Sequence, residues 1–180
     1  MFIEIYELNA GSVGATYLYY LYIKFVPMAN TFSQVYLQFV FAVQGRQSLI
    51  QKEHKEEIHK YMTSLVQARK AKMLAIYCRP DHIHLFVGYK PSVLISDFIK
   101  EIKVKSNEFI TSKKWIRSAF NWQEGYGVFS YGHSQIDRVC KYVLNQEAHH
   151  KKKTFRQEYI EFLEIFEVPF EERYLFDWIE

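Results

Sequence analysis

Four side chains stand at spacings that could do chemistry: His82 and His84 flank Ile83, and Tyr142 precedes Gln146 by four residues. Side chains alternate across a β-strand, so on a strand the two imidazoles share one face and can reach one metal ion, while Ile83, Leu85 and Val87 share the other. A His-x-His pair by itself is more often a surface pair or a satisfied core pair. On a helix, Tyr142 and Gln146 lie about 40° apart and one turn along. They flank the apolar stripe Ile136, Val139, Cys140 and Val143, from which a phenol and an amide oxygen could reach past the core edge towards a sheet. The competing reading is that Tyr142 is one ordinary tyrosine among fourteen. His149 lies near the same flank and His150 turns back towards the stripe. Together with Lys151, Lys152 and Lys153 they make a basic helix end, which the helix dipole favours without any ligand.

The elements that must position these residues follow from periodicity. Ser33 to Val43 alternates, with Val35, Leu37, Phe39 and Phe41 on one face, and predicts a strand. Ile58, Tyr61, Met62, Leu65 and Val66 fall at helical spacing within a helix over 51–68. Strands are predicted over 72–78 and 83–89, joined by the turn Arg79-Pro80-Asp81, in which Pro presets its own φ and Asp tolerates turn geometry. Ser92 is read as the cap of a helix reaching Phe109 and carrying Leu94, Phe98, Ile99 and Ile102 inward. A fourth strand spans 125–131, Ser134 is read as the cap of a helix reaching His149, and Thr154-x-x-Gln157 forms a capping box for a last short helix. The order β-α-β-β-α-β-α predicts an α+β fold: a ferredoxin-like split βαβ with an antiparallel sheet, helices on one face, and added C-terminal helices.

Charge is uneven along the chain. Residues 28–153 hold twenty Lys and Arg against ten Asp and Glu, and residues 154–180 hold two against eight. A body this basic points to a polyanion, and nucleic acid is the usual one; a solvated basic surface is the bland alternative. Cys78 and Cys140 are too few for a disulfide scaffold, which suits a reducing cytoplasm. Residues 1–27, with Tyr17, Tyr19, Tyr20 and Tyr22, fit neither a membrane span nor a signal peptide. They are expected to be a dispensable extension outside a single domain at 28–180, with Met28 as the natural start and an acidic tail.

Taken in order, the stretches Asp81–Phe86, Trp122–Ser130, Tyr142–His150 and Thr154–Tyr159 resemble the single-tyrosine HUH transposases. These are the small TnpA-type enzymes of the IS-two-hundred/IS-six-oh-five insertion sequences and their REP-associated relatives. Four ordered motifs at matching gaps are far more specific than any one, and the resemblance runs from about Thr31 to Phe166. It implies that His82 and His84 bind a divalent cation, Mg²⁺ or Mn²⁺, with Gln146 as third ligand and Tyr142 as nucleophile. It implies a homodimer that cleaves and rejoins single-stranded DNA at hairpin-marked element ends through a 5′-phosphotyrosine. For the dimer, the apolar strand Ser33–Val43 could pair across a two-fold axis.

Other readings are tested by single residues. A histidine-triad hydrolase needs a third His where Phe86 stands. An RNA-binding module on the same plan would carry an RNP-type aromatic signature, which is missing. A domesticated hairpin-binding protein without catalysis is the principal alternative, against which the four intact site residues argue. Arg46, Lys100, Lys103, Lys105, Lys113, Lys114 and Arg117 are candidates for phosphate contact, and Tyr126, Phe129 and Tyr131 for base stacking or the sheet core.

Overall fold

The computed structural model describes residues 32–175, so the extension expected at 1–27 lies outside the described residues. Within them the alternating segments become strands β1 (Val35–Ala42), β2 (Lys72–Cys78), β3 (His82–Tyr89) and β4 (Gly127–Tyr131). All neighbours pair antiparallel in the order β2-β3-β1-β4, the split βαβ arrangement expected. The helices are α1 (Lys55–Ala68), α2 (Ile95–Ser112), α3 (Ile136–Leu144), α4 (Gln146–His149) and α5 (Phe155–Ile165).

The sheet has two different faces. On the first, Leu37, Phe39 and Phe41 of β1 and Ile83, Leu85 and Val87 of β3 meet Ile58, Met62 and Val66 of α1 and Phe98, Ile99, Ile102 and Ile110 of α2. Phe39 and Phe41 are fully buried, and such burial contributes roughly 1.5–3 kcal/mol per side chain. Ser106 is buried in this layer with its hydroxyl paired: it donates to the carbonyl of Ile102 and accepts from the indole N–H of Trp122 at 2.9 Å. On the second face α3 and α5 cover Val40, Ala42, Phe86 and Phe129. The helices expected on one face are thus α1 and α2, and the C-terminal helices take the opposite face.

Three local expectations change. Ser92 does not cap α2, which begins after Leu94 with no side-chain cap bond. Ser134 does not cap α3 either: a 3₁₀ turn spans His133–Gln135, and the Gln135 side chain accepts from the Gly132 N–H at 2.9 Å instead. The helix expected to reach His149 breaks at Asn145, whose φ of −93° and ψ of 18° leave the helical basin, so Gln146 opens α4. The capping box of α5 forms as read, with Thr154 accepting from the Gln157 N–H at 3.3 Å and Gln157 accepting from the Thr154 N–H at 3.0 Å.

The pairing role expected of β1 fails. With β3 on one side and β4 on the other, β1 has no free edge; the edge strands are β2 and β4. Of the candidate DNA contacts, Lys103 is engaged with the carbonyls of Gln123 and Gly125, Lys105 pairs with Glu101, and Lys113 pairs with Glu57. Phe129 is a core residue of the second face and Tyr131 donates to Gln38 at 2.8 Å, so the sheet-core alternative holds for both. Among the described residues no helix is long and apolar enough to cross a membrane.

Candidate metal and nucleophile site

Every strand facing α3 and α5 sends either a small or a polar side chain into the gap beneath them. His84 lies opposite Val40 on β1 and opposite Tyr77 on β2, and His82 lies opposite Ala42. Val40 and Ala42 are slight enough to leave room above the imidazoles. Gly127, opposite Val40, is required by close approach: a Cβ there would meet the Tyr159 ring at 2.9 Å and its hydroxyl at 3.0 Å. The absence of a side chain lets α5 settle onto the sheet.

That close approach delivers Glu158, which sequence reasoning left without a role. It is 1% exposed and stands at the centre of the site. Its Oε1 accepts from the Tyr142 hydroxyl and from Gln146 Nε2 at 2.8 Å, with His149 Nε2 at 3.5 Å. Its Oε2 lies 3.4 Å from His84 Nε2 and 3.3 Å from His150 Nε2. His82 Nε2 completes the cluster at 3.1 Å from His150 Nε2. Tyr142, Gln146, His82 and His84, read separately from sequence, therefore converge on one buried point within a single chain. The Tyr142 and His84 rings lie 6.3 Å apart.

A signal for Glu158 was present. Phe155, Tyr159, Phe162 and Leu163 form the buried stripe of α5, and Glu158 occupies a position within it. A carboxylate in an apolar stripe is expected only when paired or ligating. His150 gave no such signal, because a basic helix end accounts for it equally well.

The electrostatics follow from burial. Burial pushes the Glu158 carboxyl up, but His84, His150 and the Tyr142 hydroxyl outweigh that effect and hold it well below the carboxylate range. Burial, then the charge of Glu158, push the Tyr142 phenol far above its ordinary value, so at neutral pH the hydroxyl keeps its proton. Burial lowers His82 to about 3 despite the Asp81 carboxylate 2.7 Å from its Nδ1.

Several buried polar atoms here have no hydrogen-bond partner, namely His84 Nε2, Gln146 Oε1, Glu158 Oε2 and His149 Nε2. Leaving such groups unpaired costs about 1–3 kcal/mol each. A cation would satisfy lone pairs on imidazole nitrogen, amide oxygen and carboxylate together, so the donor set fits a divalent metal. His82, His84, His150 and Glu158 offer ligand atoms that all lie within 4.8 Å of one another.

Residues 31–146 match a family model described as "Transposase IS200 like". Two solved structures share the fold. A candidate transposase from Deinococcus radiodurans R1 is 19% identical, with a TM-score of 0.52 over 66% of this chain and 95% of its own. A REP-associated tyrosine transposase bound to a REP hairpin is 14% identical, with a TM-score of 0.50 over 64% of this chain and 68% of its own. None of the curated proteins matches the chain.

Proposed function

We propose, from the premise that this chain belongs to the IS200-like transposase family, that it cleaves and rejoins single-stranded DNA through Tyr142. The observation that carries the reading is the convergence of the Tyr142 hydroxyl, Gln146 and His84 on one buried carboxylate. The phenol oxygen attacks the phosphorus and joins the 5′ phosphate, while the 3′ oxygen leaves as a hydroxyl. Attack by that hydroxyl on the phosphotyrosine reverses the step, so no nucleotide is consumed. His82, His84 and Gln146 would hold a divalent cation, Mg²⁺ or Mn²⁺. Such a cation, when bound, withdraws charge from the scissile phosphate. The state of Tyr142 supports this need: burial and the Glu158 carboxylate keep its proton on, and added positive charge nearby makes that proton easier to lose.

The DNA proposed is hairpin or single-stranded, in keeping with the hairpin held by the REP-associated relative and with the basic excess of residues 28–153. The assembly proposed is a homodimer; since β1 is enclosed, sheet pairing between copies would use β2 or β4.

The test is a labelled single strand bearing the hairpin and element end, run on a denaturing gel. Tyr142→Phe binds the hairpin normally and forms no covalent adduct at any metal concentration. His84→Ala loses about a thousandfold in rate or more and regains part of it at high Mn²⁺. An adduct formed by Tyr142→Phe would sink the assignment and move the nucleophile to another tyrosine.

A further inference from the structure

The polarity of the hydrogen bonds around the histidines carries the site further than the three ligands above. His82 Nδ1 lies 2.7 Å from the Asp81 carboxylate. His150 Nδ1 lies 2.9 Å from the backbone carbonyl of Lys153. Both partners are acceptors only, so both Nδ1 atoms carry hydrogen and donate. In a neutral ring the other nitrogen then bears a lone pair. His82 Nε2 and His150 Nε2 therefore aim lone pairs at each other across 3.1 Å. Two acceptors at that separation repel unless a positive centre stands beside both. With its Nδ1 turned to Lys153, His150 also brings Nε2 within 3.3 Å of Glu158 Oε2, a contact that calls for a positive centre, a proton or a metal ion, between them. Glu158 Oε2 is buried and has no hydrogen-bond partner.

We infer that His150 and Glu158 are metal ligands in this protein, adding a third imidazole and a carboxylate to His82, His84 and Gln146. The inference rests on the reading of a cation at His82 and His84. Each orienting contact is the kind that fixes a ligating imidazole, an Nδ1–H donated to a carboxylate or a backbone carbonyl. For His82 and His150 these contacts are already made. His84 Nδ1 faces Gln38 Nε2 at 3.1 Å, and Gln38 Oε1 accepts from Tyr131 at 2.8 Å. Amide oxygen and nitrogen are interchangeable by rotation. Turned over, Gln38 would accept from His84 Nδ1 and donate to the Tyr131 oxygen, freeing His84 Nε2 to ligate. Gln38 is thus a positioning residue for His84. Chemically, three imidazoles select Mn²⁺ or a later transition ion over Mg²⁺, which prefers an oxygen shell and retains its waters. The carboxylate links the metal to the nucleophile, because its other oxygen receives the Tyr142 hydroxyl.

The experiment titrates the full chain with Mn²⁺ and with Mg²⁺ alone, without DNA. Free Mn²⁺ is followed by electron paramagnetic resonance, and the bound form is read for nitrogen couplings by electron spin echo modulation. Wild type is expected to bind Mn²⁺ at least about tenfold more tightly than Mg²⁺ and to show three histidine nitrogens. His150→Ala should show two nitrogens, and His150→Ala and Glu158→Gln should each bind Mn²⁺ about 10–100-fold more weakly. The nitrogen count on wild type needs no variant, so a poorly folding substitution does not blunt the test. If His84→Ala loses Mn²⁺ while His150→Ala and Glu158→Gln bind within twofold of wild type, with two nitrogens on wild type, the inference is overturned and the proposed function stands. If wild type binds no Mn²⁺, the underlying metal reading fails with it, and a shared proton fills the space between His82 and His150.

Discussion

The two faces of one sheet have been built to opposite rules. Facing α1 and α2, β3 presents Ile83, Leu85 and Val87, and the layer is filled by Phe39, Phe41, Phe98 and aliphatic side chains. Facing α3 and α5, the same strand presents His82, His84 and Phe86, β1 presents Gln38 between Tyr36 and Val40, and α5 adds a buried carboxylate. One residue of shift along a strand separates them. The first face stabilises by removing apolar surface from water. The second contains polar atoms that burial penalises, several of them unpaired. A domain tolerates that cost where the atoms have work to do, and the first face supplies the stability that makes it tolerable.

The contrast can be broken by substitution. Phe39→Ala empties a fully buried position between Phe98 and Tyr89 on the first face. It is expected to cost about 3–5 kcal/mol in urea unfolding. Cleavage per folded molecule should stay near wild type. A large loss of that specific activity would show that the faces are not separable.

Gly127→Ala probes the second face. The added methyl meets the rings of Phe129 and Tyr159 at 2.9 Å, so these rings must shift, and a shift of Tyr159 is passed to α5. Overpacking of this kind costs about 1–3 kcal/mol. Because Glu158 precedes Tyr159, cleavage and Mn²⁺ affinity should both fall by more than the stability loss explains. Unchanged metal affinity would show that the seating of α5 does not set the site.

The smallest effect is one of pH, and it belongs to the edge of the first face. His59 Nε2 accepts from the Cys78 N–H at 3.0 Å. Burial lowers its pKa from 6.5 to about 4. Between those values the unfolded chain takes up a proton that the folded chain refuses, so its contribution is fully present above pH 6.5 and is lost as pH falls towards 4. After allowance for partial exposure the span is about 1–2 kcal/mol. His59→Gln keeps an acceptor without the titration and should flatten that part of the stability profile. An unchanged slope would assign the acid sensitivity to other groups.

Much of this was readable from residues alone because it depends on local backbone geometry. The two-residue period of β3 placed His82 and His84 together, and Thr154-x-x-Gln157 formed its capping box; Tyr142 and Gln146 meet at Glu158 across the helix break at Asn145, which spacing alone did not foresee. Caps were less legible at Ser92 and Ser134, where a 3₁₀ turn or an uncapped start competes at similar energy.

The residue types and spacings by themselves determined the α+β plan, the strand alternation and the four side chains first singled out. Only tertiary structure decided which face the C-terminal helices cover, that β1 is enclosed, and that Glu158 and His150 enter the site. The physical reason is range. Periodicity says which side of an element a residue occupies, whereas what lies across the gap is set by packing between segments distant in sequence. Gly127 against Tyr159 is one such contact, joining β4 to α5, the helix that carries Glu158 to the two histidines.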